Sequence, residues 1–288
     1  MKKDITELYC FIADFCTKLS SHAKHSQIGA GQVITRKPAM DICEILTIVI
    51  MFHKSPCKNF KYFYNSYLQL YKQEFPTLLS YNRFVELKPR SLSYFVALMY
   101  SLLSQDSLVH FIDSTMLPVC HNKRIYSHKV FDGFAAIGKS SMGWFYGLKL
   151  HLVVNSKGQI AWFQLTSGNV SDSKVAGKIT KQLKGLLIGD KWYISSKLFK
   201  QLFNRGLKLI TGIRKNMKNK LMTLHEKILL RKRSISETVN DYLKNKMSIC
   251  HTRHRSPINA IVHIISTMVA YSLNPRKPSI TMNNLIPN

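Results

Sequence analysis

Three acids stand out in a chain that is otherwise short of them: Asp113, Asp190 and Glu237. Asp113 closes the apolar run LVHFID (108–113), Asp190 closes GLLIGD (185–190), and Glu237 lies in RSISETVNDYLK. Carboxylates are hard oxygen donors suited to Mg²⁺. Three of them converging in space hold two divalent ions roughly 3.5–4 Å apart, the arrangement of two-metal phosphoryl transfer. The chemistry this spacing points to is metal-dependent cutting or joining of a phosphodiester. Spacing alone leaves a plainer reading open with equal weight. An acid after a strand is common at turns, and Arg233–Glu237 is an ordinary i,i+4 ion pair on a helix.

The elements around the acids decide how they could meet. An apolar run of five or six residues without helical period reads as a buried strand. An acid just past such a strand is carried to the sheet edge, and in an open sheet two strand ends can lie side by side. Arg233, Glu237, Asp241 and Lys244 are spaced four, four and three apart and so share one helix face, with Ile235, Val239, Tyr242 and Leu243 offering apolar surface beside it. Arg233 and Lys244 are the first choices for phosphate contacts next to Glu237; pairing with acids on the helix is the equal alternative. Asp172 reads as an N-cap. Asp132 sits in a basic loop with no strand before it and is left out.

The rest of the chain divides into two parts and a tail. Ile5, Leu8, Phe11, Ile12, Phe15 and Leu19 repeat at helical spacing, and Asp4 with Glu7 resembles a capping box. Helices follow at 41–53, 80–87 and 92–103, with an aromatic-rich stretch at 59–72 whose rings are expected mostly to pack among helices. Residues 1–105 therefore read as an all-helical domain. From Leu108 the pattern changes to strands at 108–113, 145–154, 159–166, 185–190 and 207–213. Helices are expected at 172–183, 195–204, 222–230, 233–246 and 257–273, and 116–143 as a loop. Trp144, Phe145 and Tyr146 are read as core of the second strand, with base stacking as the alternative. The fold class is α/β: a mixed sheet flanked by helices over 106–275, with 276–288 as a tail.

Composition narrows the partners. The 288 residues carry 42 Lys and Arg against 15 Asp and Glu, a formal charge of +27, and hydrophobic residues make up 45%. The chain is thus globular rather than disordered, and its charge suits a polyanion, most simply nucleic acid. Six scattered cysteines without zinc-finger spacing suggest free thiols in a reducing compartment. Glu7 and Asp14 interrupt any signal-type apolar stretch, and the apolar runs 45–52 and 258–272 are unsuited to spanning a bilayer, so a cytoplasmic location without membrane contact is expected.

The segments FIDSTMLPVCHNKRI, GKSSMGWFYGLKLHLVVNSKGQI, LTSGNVSD, IGDKWYIS, ITGIRKNMKN, LLRKRSISETVNDYLKN and HTRHRSPIN together resemble bacterial insertion-sequence transposases of the DDE type, nearest the group numbered nine-eight-two. FHKSPCKNFKYFY and LSYNRFVELKPR in the helical part resemble the same group. The resemblance implies an RNase H-like catalytic domain with Asp113, Asp190 and Glu237 as both catalytic residues and ligands of two Mg²⁺ ions, for which Mn²⁺ would substitute. It also implies a nucleoid-associated enzyme that cuts the inverted-repeat ends of its element and joins them to target DNA. Acting on two ends makes a homodimer on DNA the expected assembly. Arg233, Lys244, Arg214, Lys215, Lys218, Arg253 and His254 are the expected DNA contacts. Departures from the family pattern are Trp192 where Gly is usual, Ser236 where an apolar residue is usual, and Ile137 where a basic one is expected. A ring at Trp192 raises the expectation of a distorted loop around Asp190, hence the alternative of an impaired copy that only binds DNA. A nuclease without strand joining is the other alternative.

Overall fold

A computed structural model describes residues 2–25, 40–105, 107–140, 143–213, 217 and 221–281. The described residues form two units. One contains the residues up to Ser101 together with Ile258–Leu273; the other contains Leu102–Pro257 with the described residues after Asn274.

The first unit is helical. Helix α1 (Lys2–His25) buries Ile5, Leu8, Ile12 and Cys16 along one stripe, while Phe11 stays on the outside. Because α1 already runs from Lys2, Asp4 lies within its first turn, where a carboxylate complements the helix dipole, rather than at the cap. The capping box is instead at α2 (Ile42–Lys54): Asp41 and Glu44 satisfy each other's backbone N–H groups. Every residue of α2 from Ile45 to His53 is buried, so this helix is apolar on all faces and central to its unit. After α3 (Phe60–Tyr62) the chain widens into a π-turn (Phe63–Tyr67) and then tightens into a 3₁₀ stretch (Leu68–Glu74). As expected, most rings here are core: Phe63, Tyr64 and Tyr71 are buried, with only Tyr62 well exposed. Helices α4 (Tyr81–Leu87) and α5 (Leu92–Ser101) complete the N-terminal part.

The last helix, Pro257–Ser272, falls in the second unit by sequence but clusters from Ile258 onward with these N-terminal helices. The reason is its nearly continuous burial from Val262 to Tyr271, which α2 helps to satisfy. His53 Nε2 lies 2.8 Å from Ser266 Oγ, and the His53 and His263 rings are 4.9 Å apart.

The second unit is a six-stranded mixed sheet of order β2-β3-β1-β5-β6, with β4 paired to β3. The strands are β1 (Val109–Pro118), β2 (Ala136–Ser140), β3 (Gly143–Asn155), β4 (Ile160–Ser167), β5 (Gly185–Gly189) and β6 (Leu207–Thr211). β1, β3 and β4 run antiparallel, joined at the Asn155–Gln159 turn, where Asn155 Oδ1 accepts from the N–H groups of Lys157 and Gln159. β5 and β6 extend the sheet in parallel with β1. The 116–143 loop of the sequence reading is shorter than expected: β1 continues to Pro118 and β2 is a strand in its own right.

Helices α6 (Asp172–Ile179) and α7 (Ser196–Phe203) cover one face, where Val175, Ala176, Ile179, Leu198 and Leu202 pack on Ile112, Val153 and Leu187. Asp113 points to the other face, since neighbouring strand residues alternate. α8 (Leu224–Lys232) and α9 (Ser234–Asp241) follow, and a π-turn (Tyr242–Lys246) ends α9; Pro257–Ser272 is α10. The mixed sheet, its flanking helices and the helical N-terminal region match the expected fold class.

Candidate active site

The sheet register brings the two aspartates together. β1 and β5 pair from Val109–Leu186 to Phe111–Ile188, and Asp113 and Asp190 each lie two residues past the last of these pairs. Continuing that register puts them opposite each other, on the same face, where β5 ends and β1 runs on to Pro118; Asp113 thus lies within its strand rather than at the end the sequence suggested. The carboxyl end of a parallel strand such as β5 is where open α/β sheets collect ligands.

Each carboxylate is fixed locally. Asp113 Oδ1 accepts from the Ser114 N–H at 2.9 Å, and Oδ2 accepts from Asn240 Nδ2 at 3.0 Å. Asp190 accepts from the Lys191 N–H at 2.6 Å and caps the single 3₁₀ turn Lys191–Tyr193. That turn folds the Tyr193 ring down onto Gly189. A β-carbon at Gly189 would come within 3.0 Å of Ile112 Cγ2 and 3.1 Å of Tyr193 Cδ2, so glycine there is what lets the turn seat against β1. Tyr193 is buried, with its hydroxyl near the Ser114 side chain. Burial holds that phenol well above its ordinary range, with the charges of Asp172, Asp113 and Asp190 adding to the effect.

Burial also pushes the Asp113 carboxyl up to about 6, against the Ser114 N–H, the Arg233 charge and the Asn240 amide, which favour its ionised form; the charge of Glu237 acts with burial. These influences put Arg233 and Glu237 within electrostatic reach of Asp113. Glu237 is half exposed on α9, and its Oε1 accepts from Arg233 Nη2 at 2.6 Å. The i,i+4 pair of the plainer reading therefore exists, and it acts on the Asp113 charge rather than standing apart from it.

Asn240 was not singled out by sequence. It is one turn on from Glu237, only 6% exposed, and its Oδ1 is buried without a partner. The signal available was a polar side chain on the buried side of a helix that also buries Ile235 and Val239.

Other expected residues scatter. Lys244 falls in the π-turn after α9, which breaks the regular spacing that would have aligned it with Glu237; it lies near enough to Cys250 to oppose the burial that raises that thiol. Asp241 pairs with Asn245. Arg253 is exposed, and His254 sits 4.8 Å, ring to ring, from His251. Cys250 Sγ lies 3.9 Å from Met116 O, which runs this segment along the far part of β1. Arg214, Lys215 and Lys218 lie outside the described residues.

Asp172 is not a cap: the N-cap position is Ser171, and the Asp172 carboxylate accepts from Lys149 Nζ at 3.2 Å and lies 3.6 Å from His151 Nδ1. Strand alternation puts Lys149 and His151 on the sheet face opposite Asp113, because Asp113 pairs with Leu152. The buried His151 imidazole is held below its ordinary range by desolvation.

Trp192 does not distort the loop. Its side chain is 65% exposed, and it does not adopt the positive φ for which a glycine would be needed. Ser236 is buried but satisfied, its hydroxyl donating to the Arg233 carbonyl at 2.8 Å. Ile137 is exposed on β2.

Among the described residues, no three His, Cys, Asp or Glu side chains already converge closely enough to hold one ion. The donor set nevertheless fits hard divalent cations. One carboxylate lies within β1, a second just past the end of β5, a third stands on α9, and Asp113 is a buried acid whose ionised form a cation would stabilise.

A family model described as "Transposase DDE domain" matches residues 103–257. No functionally curated protein matches the sequence. A cryo-EM structure of a piggyBac transposase synaptic complex with hairpin DNA superimposes with a TM-score of 0.52, at 11% identity, over 93% of this chain and 72% of that one. At that identity the likeness concerns the fold alone. No described helix is long and apolar enough to cross a membrane.

Proposed function

Because the chain belongs to the transposase DDE-domain family, we propose that it cuts the inverted-repeat ends of a bacterial insertion sequence, of the group numbered nine-eight-two, and joins those ends to target DNA. The observation that supports this reading is the β1–β5 register, whose continuation sets Asp190, just past β5, opposite Asp113 within β1, with Glu237 on α9 close enough to act on the Asp113 charge. The catalytic unit is read as RNase H-like, in line with its mixed sheet and flanking helices.

Asp113, Asp190 and Glu237 would hold the metal, Mg²⁺ with Mn²⁺ as substitute. When bound, two such ions activate an attacking oxygen and stabilise a leaving one. The chain's own residues supply position. The Ser114 N–H and Asn240 orient Asp113, the Lys191 N–H orients Asp190, and Arg233 steadies Glu237 while adding positive charge where a phosphate would lie. The +27 surplus favours DNA and makes binding steeply salt-dependent, since neutralised phosphates release counterions. The helical unit of the first 105 residues is assigned to DNA binding, a homodimer on paired ends to the working assembly, and the bacterial nucleoid to its location. The piggyBac transposase of similar fold is seen in a synaptic complex with hairpin DNA, in line with DNA as the partner. Trp192 is largely exposed and the Ser236 hydroxyl is hydrogen-bonded, which favours the active enzyme over an impaired copy that only binds DNA.

The test is a strand-transfer assay. A labelled duplex of the element's terminal repeat is incubated with the protein, Mg²⁺ and a plasmid target. A covalent repeat–plasmid product is expected. Cutting without that product would mark a nuclease that does not join.

A further inference from the structure

We propose that the Lys139–Trp144 pair of β2 and β3, with the loop before β2, is a stacking platform for unpaired DNA bases, a site separate from the carboxylates. This rests on the reading of DNA as the partner and names a surface for it.

Of the three neighbouring rings in the sequence WFY, Phe145 goes into the core, Tyr146 is half-buried, and Trp144 is 59% exposed. Lys139, across the hairpin, holds its ammonium 5.4 Å from the centre of the Trp144 ring, and Asn122 Nδ2 donates to the Trp144 carbonyl at 2.9 Å. The Trp144 ring is thus backed by a cation and steadied by a loop. That loop also presents Tyr126, 96% exposed, and Phe134, 54% exposed. It is itself built: Phe131 is buried, accepts through its carbonyl from Tyr146 Oη at 3.2 Å, and stacks on His128 at 5.7 Å.

Three exposed large rings within one short segment make it a candidate interaction surface. The charges around them say for which partner. Between His121 and Trp144 the exposed Lys123, Arg124, Lys129 and Lys139 face a single acid, Asp132, whose carboxylate is turned to the Gly133 N–H. Basic side chains interleaved with exposed aromatic rings fit single-stranded nucleic acid, whose bases stack while its phosphates are neutralised.

The register ties this surface to the active site. Leu152 pairs with Asp113, and Trp144 lies eight residues earlier on the same strand, an even number, so both are on one face of the sheet. Eight strand residues span about 26 Å. That is seven or eight nucleotides of a strand at about 3.4 Å each, so a strand cut at the carboxylates reaches the platform with roughly one helical turn or less of its length.

The experiment uses the full chain with fluorescein-labelled (dT)₁₂ and, separately, terminal-repeat duplex, read by anisotropy. Trp144→Ala, an exposed change that leaves the core alone, is expected to weaken (dT)₁₂ binding about ten-fold while leaving duplex affinity within about two-fold. Lys139→Ala is expected to weaken it in the same direction. In a Trp162→Phe, Trp192→Phe background, verified by its melting curve, Trp144 is the sole tryptophan and (dT)₁₂ is expected to quench its fluorescence. Unchanged (dT)₁₂ affinity in Trp144→Ala, or equal loss for (dT)₁₂ and duplex, overturns the platform. Failure of the wild-type chain to bind any DNA would instead overturn the reading of function on which it rests.

Discussion

Asn240 donates its side-chain amide to Asp113 Oδ2 at 3.0 Å, linking α9 to the middle of β1 across 127 positions of sequence. This bond sets the direction in which the Asp113 carboxylate points, and it favours the ionised form. Groups that orient a metal-ligating carboxylate typically matter 10–100-fold. Asn240→Ala is therefore expected to slow DNA cutting by about that factor at saturating Mg²⁺ while binding persists. Because the lost amide had lowered the Asp113 pKa, the rising limb of the pH–rate profile is expected to move to higher pH. An unchanged rate and profile in single-turnover assays would show the bond to be idle.

Trp192 provides a second check. The family pattern has glycine at this position, which suggests that Trp192→Gly would repair the site. The structure gives the opposite expectation, since the position needs no positive φ and the ring stands in solvent. Glycine adds chain entropy to the unfolded state at a cost of about 0.5–1 kcal/mol. Trp192→Gly should leave cutting no faster than wild type and lower the thermal midpoint by about 2–4 °C at most. A gain in rate would show that the ring obstructs the Asp190 loop after all.

Lys88 supplies a pH-dependent test in the helical unit. It is buried against the Phe60 ring, 4.9 Å from its centre, and burial lowers its pKa from 10.5 to about 8. Below the folded value both states carry the proton, and the full cost of burying the charge is present. Between pH 8 and 10.5 the unfolded chain holds more protons than the folded one, so stability contributed by this group rises with pH. The shift corresponds to about 3 kcal/mol, part of which the ring contact already offsets. Lys88→Met is expected to be more stable than wild type by about 1–3 kcal/mol at pH 7, with the difference closing toward pH 10.5. Denaturant melts of both proteins across that range decide it; a variant less stable at pH 7 would contradict the account.

How much of this could be read in advance follows from what each element shows locally. The strands carrying Asp113 and Asp190 were legible from their apolar runs; the acid ends β5, but β1 continues past Asp113 to Pro118 because β3 pairs with it there, which the run LVHFID does not show. β2 was not, because AIGKS contains one buried residue, Gly138, and its strand character comes only from pairing with β3. The grouping of α10 with the N-terminal helices has no local signature either; it depends on which surface covers an all-round apolar helix. In the site, Glu237 could be found from its i,i+4 arginine. Asn240 could not, since one sequence does not separate a buried amide that orients a carboxylate from any other asparagine. Lys149 and His151 were likewise hidden inside a strand, and Asp172, which they engage, reads as a cap in sequence because it opens a helix.

The central claim is that Asp113, Asp190 and Glu237 act together on DNA. The most direct measurement compares wild type with Asp113→Asn, Asp190→Asn and Glu237→Gln on a labelled terminal-repeat duplex in Mg²⁺, with binding followed in parallel. The account predicts cutting by wild type alone and binding by all four. Cutting by any of the three variants at the wild-type rate would contradict the site.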